Sequence, residues 1–186
     1  MLQKLYDGTI PPATFQLAAM ATRFAPFYRA IAEGEGCIVS ERCVYSDNAV
    51  FAKCNLKDEV DITAYRMAYD ALIDALPDKI NLHIVYLKAS VDTLQTRMKS
   101  RGRPAERMSS PEQETKRRVY LEQLHSLQDA FFSMTAEELG VATVTRHVID
   151  ASASPEEVAN KVQESLSSIP LVKRESSEVC KRARSL

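Results

Sequence analysis

A chain of 186 residues that is 45% hydrophobic and 26% charged has the size and composition of one globular domain with a sizeable core. The formal net charge of −1 excludes the basic excess typical of nucleic-acid and membrane-surface binders, so we expect no nucleic acid and no membrane among its partners. No apolar run approaches the roughly 20 residues of a membrane span, and the start lacks an apolar signal-peptide region.

Helices and short apolar strands alternate along the chain. Residues 12–33 have helical periodicity with a kink expected at Pro26, and the apolar run at 37–40 predicts a short buried strand. Next come expected helices near 46–54 and 62–76, a buried strand at 81–89, a helix at 90–100, a helix opened by a capping box at Ser110, a strand at 145–151 and a helix opened by a capping box at 154–157. This alternation predicts an α/β fold with a parallel sheet flanked by helices.

The composition changes near the end of the chain. Residues 1–169 are predicted to form one domain, whereas 170–186 contain five basic against two acidic residues and no periodicity. We predict a basic, disordered tail, with a targeting or interaction arm as the alternative. The four cysteines, at 37, 43, 54 and 180, lack CxxC spacing and are expected to be reduced thiols.

Charged and aromatic residues follow the predicted strand at 37–40. Glu41 and Arg42 come directly after it, and Asp47 and Phe51 lie within the next eleven residues. In an open α/β sheet, ligands bind at the carboxyl ends of the strands, so this cluster predicts a ligand site. The alternatives are a surface ion pair for Glu41 and Arg42 and a helix N-terminal acid for Asp47.

The first predicted helix carries a second group of candidate site residues. Gln16 and Arg23 lie seven residues apart, which places them on one side of a helix, and Phe15 is adjacent. An amide, a guanidinium and an aromatic ring on one face are able to read the edge of a nucleobase. Alternatively, Phe15 belongs to the core while the two polar residues are solvated.

Three arginines surround the end of the helix at 90–100. Arg97 and Arg101 are four residues apart, and Arg103 follows the break at Gly102. A guanidinium group can form two parallel hydrogen bonds to phosphate oxygens, and its charge helps to neutralise the phosphates during phosphoryl transfer. The alternative is a basic last turn that complements the helix dipole. The histidines at 83, 125 and 147 lack metal-ligand spacing and are expected to be structural.

Together these stretches resemble the deoxynucleoside kinases. ERCVYSDNAVFA is similar to their E-R-S-x-Y-S-D/A-x-x-x-F segment, with Cys43 in place of the usual Ser. The pair FQ followed seven residues later by Arg23 resembles their base-reading helix, and RMKSRGRPAE resembles their lid. YLEQLHSLQDAF and HVIDAS resemble the helix after the lid and the last strand, so the resemblance covers about residues 1–168.

The resemblance implies a P-loop kinase fold, a homodimer and a role in nucleotide salvage, in which the γ-phosphoryl of ATP moves with Mg²⁺ to a deoxynucleoside 5'-hydroxyl. It implies that Phe15 and Phe51 sandwich the base, while Gln16, Arg23 and Asp47 read its edge. The other positions that it assigns are Tyr6 and Glu106 on the sugar 3'-hydroxyl, Glu41 on Mg²⁺, Arg42 on the catalytic carboxylate, Arg97, Arg101 and Arg103 on the phosphates, and Asp150 near the adenine of ATP.

The sequence departs from the family pattern in its ATP-binding part. The glycines, at 8, 34, 36, 102 and 140, form no G-x-x-x-x-G-K-[ST] motif, and the catalytic Glu that follows the family's second strand is also missing. We therefore expect an N-terminally truncated version of the fold that does not phosphorylate nucleosides by itself at a normal rate. Because the family's central strand would also be absent, we expect either direct pairing of the strands at 37–40 and 82–87 or an open cleft between them that another chain could fill.

The base-reading residues indicate which nucleoside the pocket favours. Arg23 with Asp47 suits an amino-bearing base, as in deoxycytidine or a purine deoxynucleoside, because relatives that favour thymidine resemble this pattern but carry an apolar pair at these positions. The expected location is the cytoplasm, or the mitochondrion if a further N-terminal segment exists. The competing hypotheses are a non-catalytic nucleoside-binding or regulatory partner of a complete kinase, and an RNA-binding or interaction module with an arginine lid.

Overall fold

The computed structural model describes residues 9–33, 37–77, 80–103 and 110–169 of the chain. It has an α/β fold in which a parallel pair of strands is flanked by helices, which confirms the predicted fold class. In chain order the elements are α1 (Pro12–Ala32), α2 (Val44–Ser46), a π-helical segment (Asp47–Ala52), α3 (Lys53–Asn55), α4 (Glu59–Asp74), β1 (Asn81–Lys88), α5 (Val91–Arg101), α6 (Pro111–Ser133), α7 (Ala136–Leu139), β2 (Thr143–Asp150) and α8 (Pro155–Ser167).

Strands β1 and β2 run side by side in one unbroken parallel register. Asn81 lies opposite Thr143 at one end, and Lys88 lies opposite Asp150 at the other. Side chains alternate between the two faces of the pair, and Ile84 is among the β1 residues that pack against the main apolar core. The carboxyl ends of both strands therefore meet at one edge, where Lys88 and Asp150 lie.

The prediction of a buried strand at 37–40 is wrong. These residues form no strand among the described parts of the chain, and Val39 is 73% exposed. Strand geometry is stabilised by hydrogen bonds to a neighbouring strand, and β1 pairs with β2 rather than with this stretch. Of the two expected outcomes, direct pairing of 37–40 with 82–87 is therefore wrong, and the open cleft stays a prediction. Glu41 and Arg42 do not follow a core strand.

Side-chain caps determine where several helices begin. Ser110 accepts a hydrogen bond from the Gln113 N–H at 3.3 Å, and Pro111 follows it as the first residue of α6. Ser154 and Glu157 form a complete capping box at the start of α8. Asp58 caps α4, which therefore starts three residues earlier than the sequence periodicity predicted.

Helix α1 contributes to two groups of buried apolar side chains. Its carboxyl-terminal half adds Phe24 to the main core, which also contains Phe131 of α6. Its amino-terminal half adds Ala13 and Met20 to a second cluster. The remaining members of that cluster are Ala52, Leu56 and Tyr65. Pro26 lies inside α1 without ending it, and α1 is held along its length by packing on both clusters.

The remaining predictions about the whole chain concern the cysteines, the tail and membrane spans. Cys37, Cys43 and Cys54 are free thiols, as expected, while Cys180 and the predicted tail at 170–186 lie outside the described residues. Within the described ranges, no helix combines the length and the apolar character needed to cross a bilayer. Helix α7 (Ala136–Leu139), with a capping box between Thr135 and Glu138, was not predicted from the sequence.

We predict that Phe131→Ala lowers the free energy of unfolding by about 3–5 kcal/mol, because Phe131 is 3% exposed and its removal leaves a cavity in the main core. The matched control is Val119→Ala on the same helix, where the side chain is 58% exposed and the expected change is within about 0.5 kcal/mol. Urea unfolding of both variants measures the difference. Equal losses would contradict the assignment of Phe131 to the core.

Candidate functional site

Three elements meet around the residues that the sequence singled out. Helix α1, the π-helical segment and helix α4 contact one another in pairs, and the second apolar cluster joins all three. Polar side chains of these three elements are therefore brought together next to the second apolar cluster.

The central feature is an ion pair between Arg23 of α1 and Asp47 of the π-helical segment. The Arg23 Nη1 donates a hydrogen bond to the Asp47 Oδ1. The Asp47 side chain is only 1% exposed, whereas the Arg23 side chain is 29% exposed. A buried carboxylate needs a compensating cation, so the guanidinium neutralises the charge from the solvent side while the carboxylate faces inward. The structure therefore brings these two predicted site residues into contact, while their role in reading a base stays a prediction.

Gln16 lies on the same face of α1 as Arg23, as the seven-residue spacing predicted. Its side chain is almost completely buried, with 2% of its surface exposed. Met20 lies between the two along the helix and is buried in the second cluster. The alternative of a solvated Gln16 is therefore wrong, and this face of α1 carries a buried amide and a partly exposed guanidinium.

Two buried polar atoms beside this ion pair have no hydrogen-bond partner among the described residues: the Asp47 Oδ2 and the Tyr65 hydroxyl. Tyr65 belongs to α4 and is 2% exposed. Burial raises the pKa of Tyr65, and the nearby Asp47 carboxylate raises it further. Sequence reasoning missed Tyr65, since a tyrosine on an amphipathic helix is usually core and no local motif marks it.

The backbone that carries Asp47 is unusual. Asp47 begins a π-helical segment, a wider helix that is rare in proteins and frequent at functional sites. The preceding turn is fixed by Ser46, whose Oγ accepts from the Cys43 N–H at 3.1 Å and donates to the Cys43 carbonyl at 2.9 Å. Burial raises the pKa of the Cys43 thiol, so the thiol favours its protonated form.

Arg42 contacts the ring of a second predicted site residue, while its implied role toward a catalytic carboxylate stays a prediction. Its backbone is left-handed, with φ of 68°, and its guanidinium lies 4.2 Å from the centroid of the Phe51 ring. A left-handed non-glycine residue is uncommon and marks a strained, fixed bend. Arg42 therefore stacks on an aromatic residue that was predicted to hold the base, and Glu41 beside it is exposed.

The two aromatic residues of the predicted base sandwich are both half-buried. Phe15 precedes Gln16 on α1, and Phe51 packs against the main core from the π-helical segment. Each ring keeps part of its surface for a ligand, and their role in stacking stays a prediction. Tyr6 and Glu106, the predicted sugar-binding residues, lie outside the described residues.

The predicted phosphate-binding arginines lie in the carboxyl-terminal half of α5 and just after it. Gly102 ends this helix in a left-handed conformation with φ of 61°, and Arg101 and Arg103 beside it are exposed. The Arg97 Nη2 donates to the carbonyl of Ala153 at 3.3 Å, which links α5 to the loop after β2.

Asp150 is the last residue of β2 and lies at the edge of the sheet where the carboxyl ends of both strands meet. Its Oδ1 accepts from the Ser152 N–H at 2.8 Å. This bond is the main cause that lowers the pKa of Asp150, with a smaller effect from the Arg97 guanidinium. Lys161 also lowers the pKa of Asp150, and the binding of ATP by Arg97 and Asp150 stays a prediction.

A magnesium ion would find one candidate protein ligand here. Among the described residues, no group of three or more His, Cys, Asp or Glu side chains is arranged to hold a metal. Mg²⁺ usually takes one or two protein carboxylates and completes its shell with phosphate oxygens and water. Glu41 is exposed, and its role as a metal ligand stays a prediction.

Comparison with known proteins identifies similar chains. A family model described as deoxynucleoside kinase matches residues 1–168. The chain is also 30% identical over 142 residues to a protein of fowlpox virus (strain NVSL) described as "Probable deoxycytidine kinase". That match covers 74% of this chain and 57% of the relative, so the chain spans little more than half the length of the curated relative that it matches.

We predict that Arg23→Met lowers the free energy of unfolding by about 3–5 kcal/mol, because it leaves the Asp47 carboxylate buried without a cation. The double variant Arg23→Met/Asp47→Leu should recover most of that loss, since an apolar pair of similar volume removes the buried charge as well. Urea unfolding of the wild type, both single variants and the double variant gives the coupling energy.

The matched control for this cycle is Arg29→Met, an exposed arginine in the last turn of the same helix, with an expected change within about 0.5 kcal/mol. A double variant that is less stable than Arg23→Met alone would contradict the ion-pair interpretation.

Proposed function

Because the chain belongs to the deoxynucleoside kinase family, we propose that it supplies the nucleoside-binding part of a kinase for deoxynucleosides with an amino-bearing base. The observation that carries this proposal is the buried Arg23–Asp47 pair, whose second carboxylate oxygen has no partner among the described residues. The reaction of such a kinase moves the γ-phosphoryl of ATP to the 5'-hydroxyl of the nucleoside. The described residues contribute recognition of the base and positive charge for the phosphates.

The chemistry of the pair favours one kind of base edge. Arg23 only donates hydrogen bonds and an ionised Asp47 only accepts them, so together they complement an edge with one acceptor and one amino donor. Cytosine and adenine present a ring nitrogen beside an exocyclic amino group in this arrangement. Thymine presents a carbonyl oxygen at the same place, which would face the Asp47 carboxylate with no proton between them. Leaving these buried groups unpaired is the physical basis of rejection.

The other proposed roles concern two groups of residues, one on α1 and the π-helical segment and one around α5 and the end of β2. Phe51 and Phe15 would stack on the base, and Gln16 would offer an amide to its edge. Arg97, Arg101 and Arg103 would neutralise the phosphates, because guanidinium groups match phosphate oxygens in pairs. ATP and Mg²⁺ would supply the transferred group and its charge compensation when bound, with Glu41 as the proposed metal ligand. Asp150 is proposed on the adenine side of ATP.

A second candidate is a nucleoside-binding partner without phosphotransfer of its own. The observation in its favour is that the 186 residues contain no G-x-x-x-x-G-K-[ST] motif, the usual backbone cradle for ATP phosphates. Phosphoryl transfer is mostly positioning and charge neutralisation, so loss of that cradle removes the main source of rate acceleration.

We predict that the chain binds deoxycytidine or a purine deoxynucleoside more tightly than thymidine by about 5- to 150-fold, which corresponds to roughly 1–3 kcal/mol for one well-matched base edge. Calorimetric titration with deoxycytidine, deoxyadenosine, deoxyguanosine and thymidine measures this order. Asp47→Asn should narrow the difference, because an amide can also donate to the thymine carbonyl. Tightest binding of thymidine to the wild-type chain would refute the proposed substrate class.

We further predict that the 186-residue chain alone phosphorylates these nucleosides more slowly than a complete family member. The expected difference is at least about 10²- to 10⁴-fold, because one positioned acid–base group typically accelerates a reaction by that factor. The assay uses labelled ATP, Mg²⁺ and the four deoxynucleosides. Turnover within about tenfold of a complete enzyme would mean that other residues hold the phosphates, and it would exclude the non-catalytic partner.

A further inference from the structure

Tyr65 and Asp47 bring two unpartnered polar atoms into the same buried region. Asp47 is 1% exposed and Tyr65 is 2% exposed, and neither the Asp47 Oδ2 nor the Tyr65 hydroxyl has a hydrogen-bond partner among the described residues. Buried polar atoms are nearly always hydrogen-bonded in native proteins, because an unmade bond in the interior is costly. Helix α4 and the π-helical segment, which carry these two atoms, contact each other, so one bound group that reaches both oxygens would satisfy them.

The packing places Tyr65 against the two elements that carry the ion pair. In the second apolar cluster Tyr65 packs with Ala13 and Met20 of α1 and with Ala52 of the π-helical segment. Burial is the main cause that raises the pKa of Tyr65. Both charges of the ion pair also act on its hydroxyl, since the Asp47 carboxylate raises that pKa and the Arg23 guanidinium lowers it. Tyr65 therefore lies beside the base-reading residues rather than elsewhere in the core.

The chemistry of the two atoms limits what can join them. The carboxylate oxygen only accepts hydrogen bonds, whereas the tyrosine hydroxyl accepts and donates. A primary amino group has two hydrogens and can donate one to each oxygen. A carbonyl oxygen has no hydrogen to give to Asp47. A buried water molecule is the remaining group that could satisfy both atoms.

Resting on the function proposed above, we propose that Tyr65 is a base-specificity residue whose hydroxyl, together with the Asp47 Oδ2, holds the exocyclic amino group of the bound deoxynucleoside. Arg23 holds the other carboxylate oxygen, Oδ1, and so fixes the direction in which Oδ2 points. The discrimination between amino and carbonyl groups then comes from two oxygens on two different elements, α4 and the π-helical segment.

The test compares deoxycytidine with deoxyuridine, which differ only in the amino or carbonyl group on the same ring. Calorimetric titration of the 186-residue chain should show tighter binding of deoxycytidine. In Tyr65→Phe we expect the affinity for deoxycytidine to fall about tenfold, the effect of one lost hydrogen bond, while deoxyuridine changes by less than about twofold. The Tm of this variant should be unchanged or higher, because the substitution removes a buried hydroxyl without a described partner.

The matched control is Tyr69→Phe, one helical turn further along α4. The Tyr69 hydroxyl is hydrogen-bonded to the Asn48 side chain, and burial is the main cause that raises the pKa of Tyr69 to about 12. Its loss should lower the Tm and leave the ratio of the deoxycytidine and deoxyuridine affinities unchanged. The two variants thus separate a role in recognition from a role in stability.

The outcomes distinguish this inference from the proposed function. If the wild type prefers deoxycytidine but Tyr65→Phe keeps the same affinity ratio, a buried water or an unfilled space explains the two oxygens, and only the role of Tyr65 is refuted. A fall in the Tm of Tyr65→Phe with an unchanged ratio would likewise assign Tyr65 a structural role. If the wild-type chain binds no deoxynucleoside, the proposed function fails, and the role of Tyr65 fails with it.

Discussion

The ion pair between Arg23 and Asp47 is the interaction on which the candidate site depends. A carboxylate that is 1% exposed is tolerated only beside a cation, so α1 must lie where Arg23 reaches the π-helical segment. That requirement fixes the face of α1 that turns inward, and Gln16 and Met20 are buried on the same face as a result. The polar recognition surface and the second apolar cluster are therefore two parts of one packing arrangement.

Backbone irregularities are concentrated next to this pair. The π-helical segment begins at Asp47, and the left-handed Arg42 comes five residues before it. Such features cost free energy and persist where the surrounding contacts fix them, which is why they are frequent at functional sites. Here the contacts are the Ser46–Cys43 turn before the segment and the stacking of Arg42 on Phe51. Together they hold the start of the segment, and hence Asp47, in one orientation.

The carboxyl-terminal edge of the sheet forms a separate, charged region. Lys88 at the end of β1 donates to both carboxylate oxygens of Asp129 at 2.9 Å, which lowers the pKa of that carboxyl group. Arg97 contacts the loop after β2, close to Asp150. The roles proposed for base recognition and for phosphate binding therefore fall on different elements, the first on the helices around the second apolar cluster and the second on the strand ends and α5.

Local sequence patterns determined most of the helices and both strands, because periodicity, caps and turn residues act over a few neighbouring positions. The stretch at 37–40 was predicted wrongly as a strand for the same reason: its apolar run is a local signal, whereas strand formation needs a partner elsewhere in the chain. Only the family resemblance grouped Arg23 with Asp47 in advance, and the ion pair between them is a tertiary contact. Tertiary structure alone decided that Asp47 begins a π-helix and that Tyr65 lies beside it. Both outcomes depend on contacts between α1, the π-helical segment and α4, which are distant in sequence and leave no local pattern.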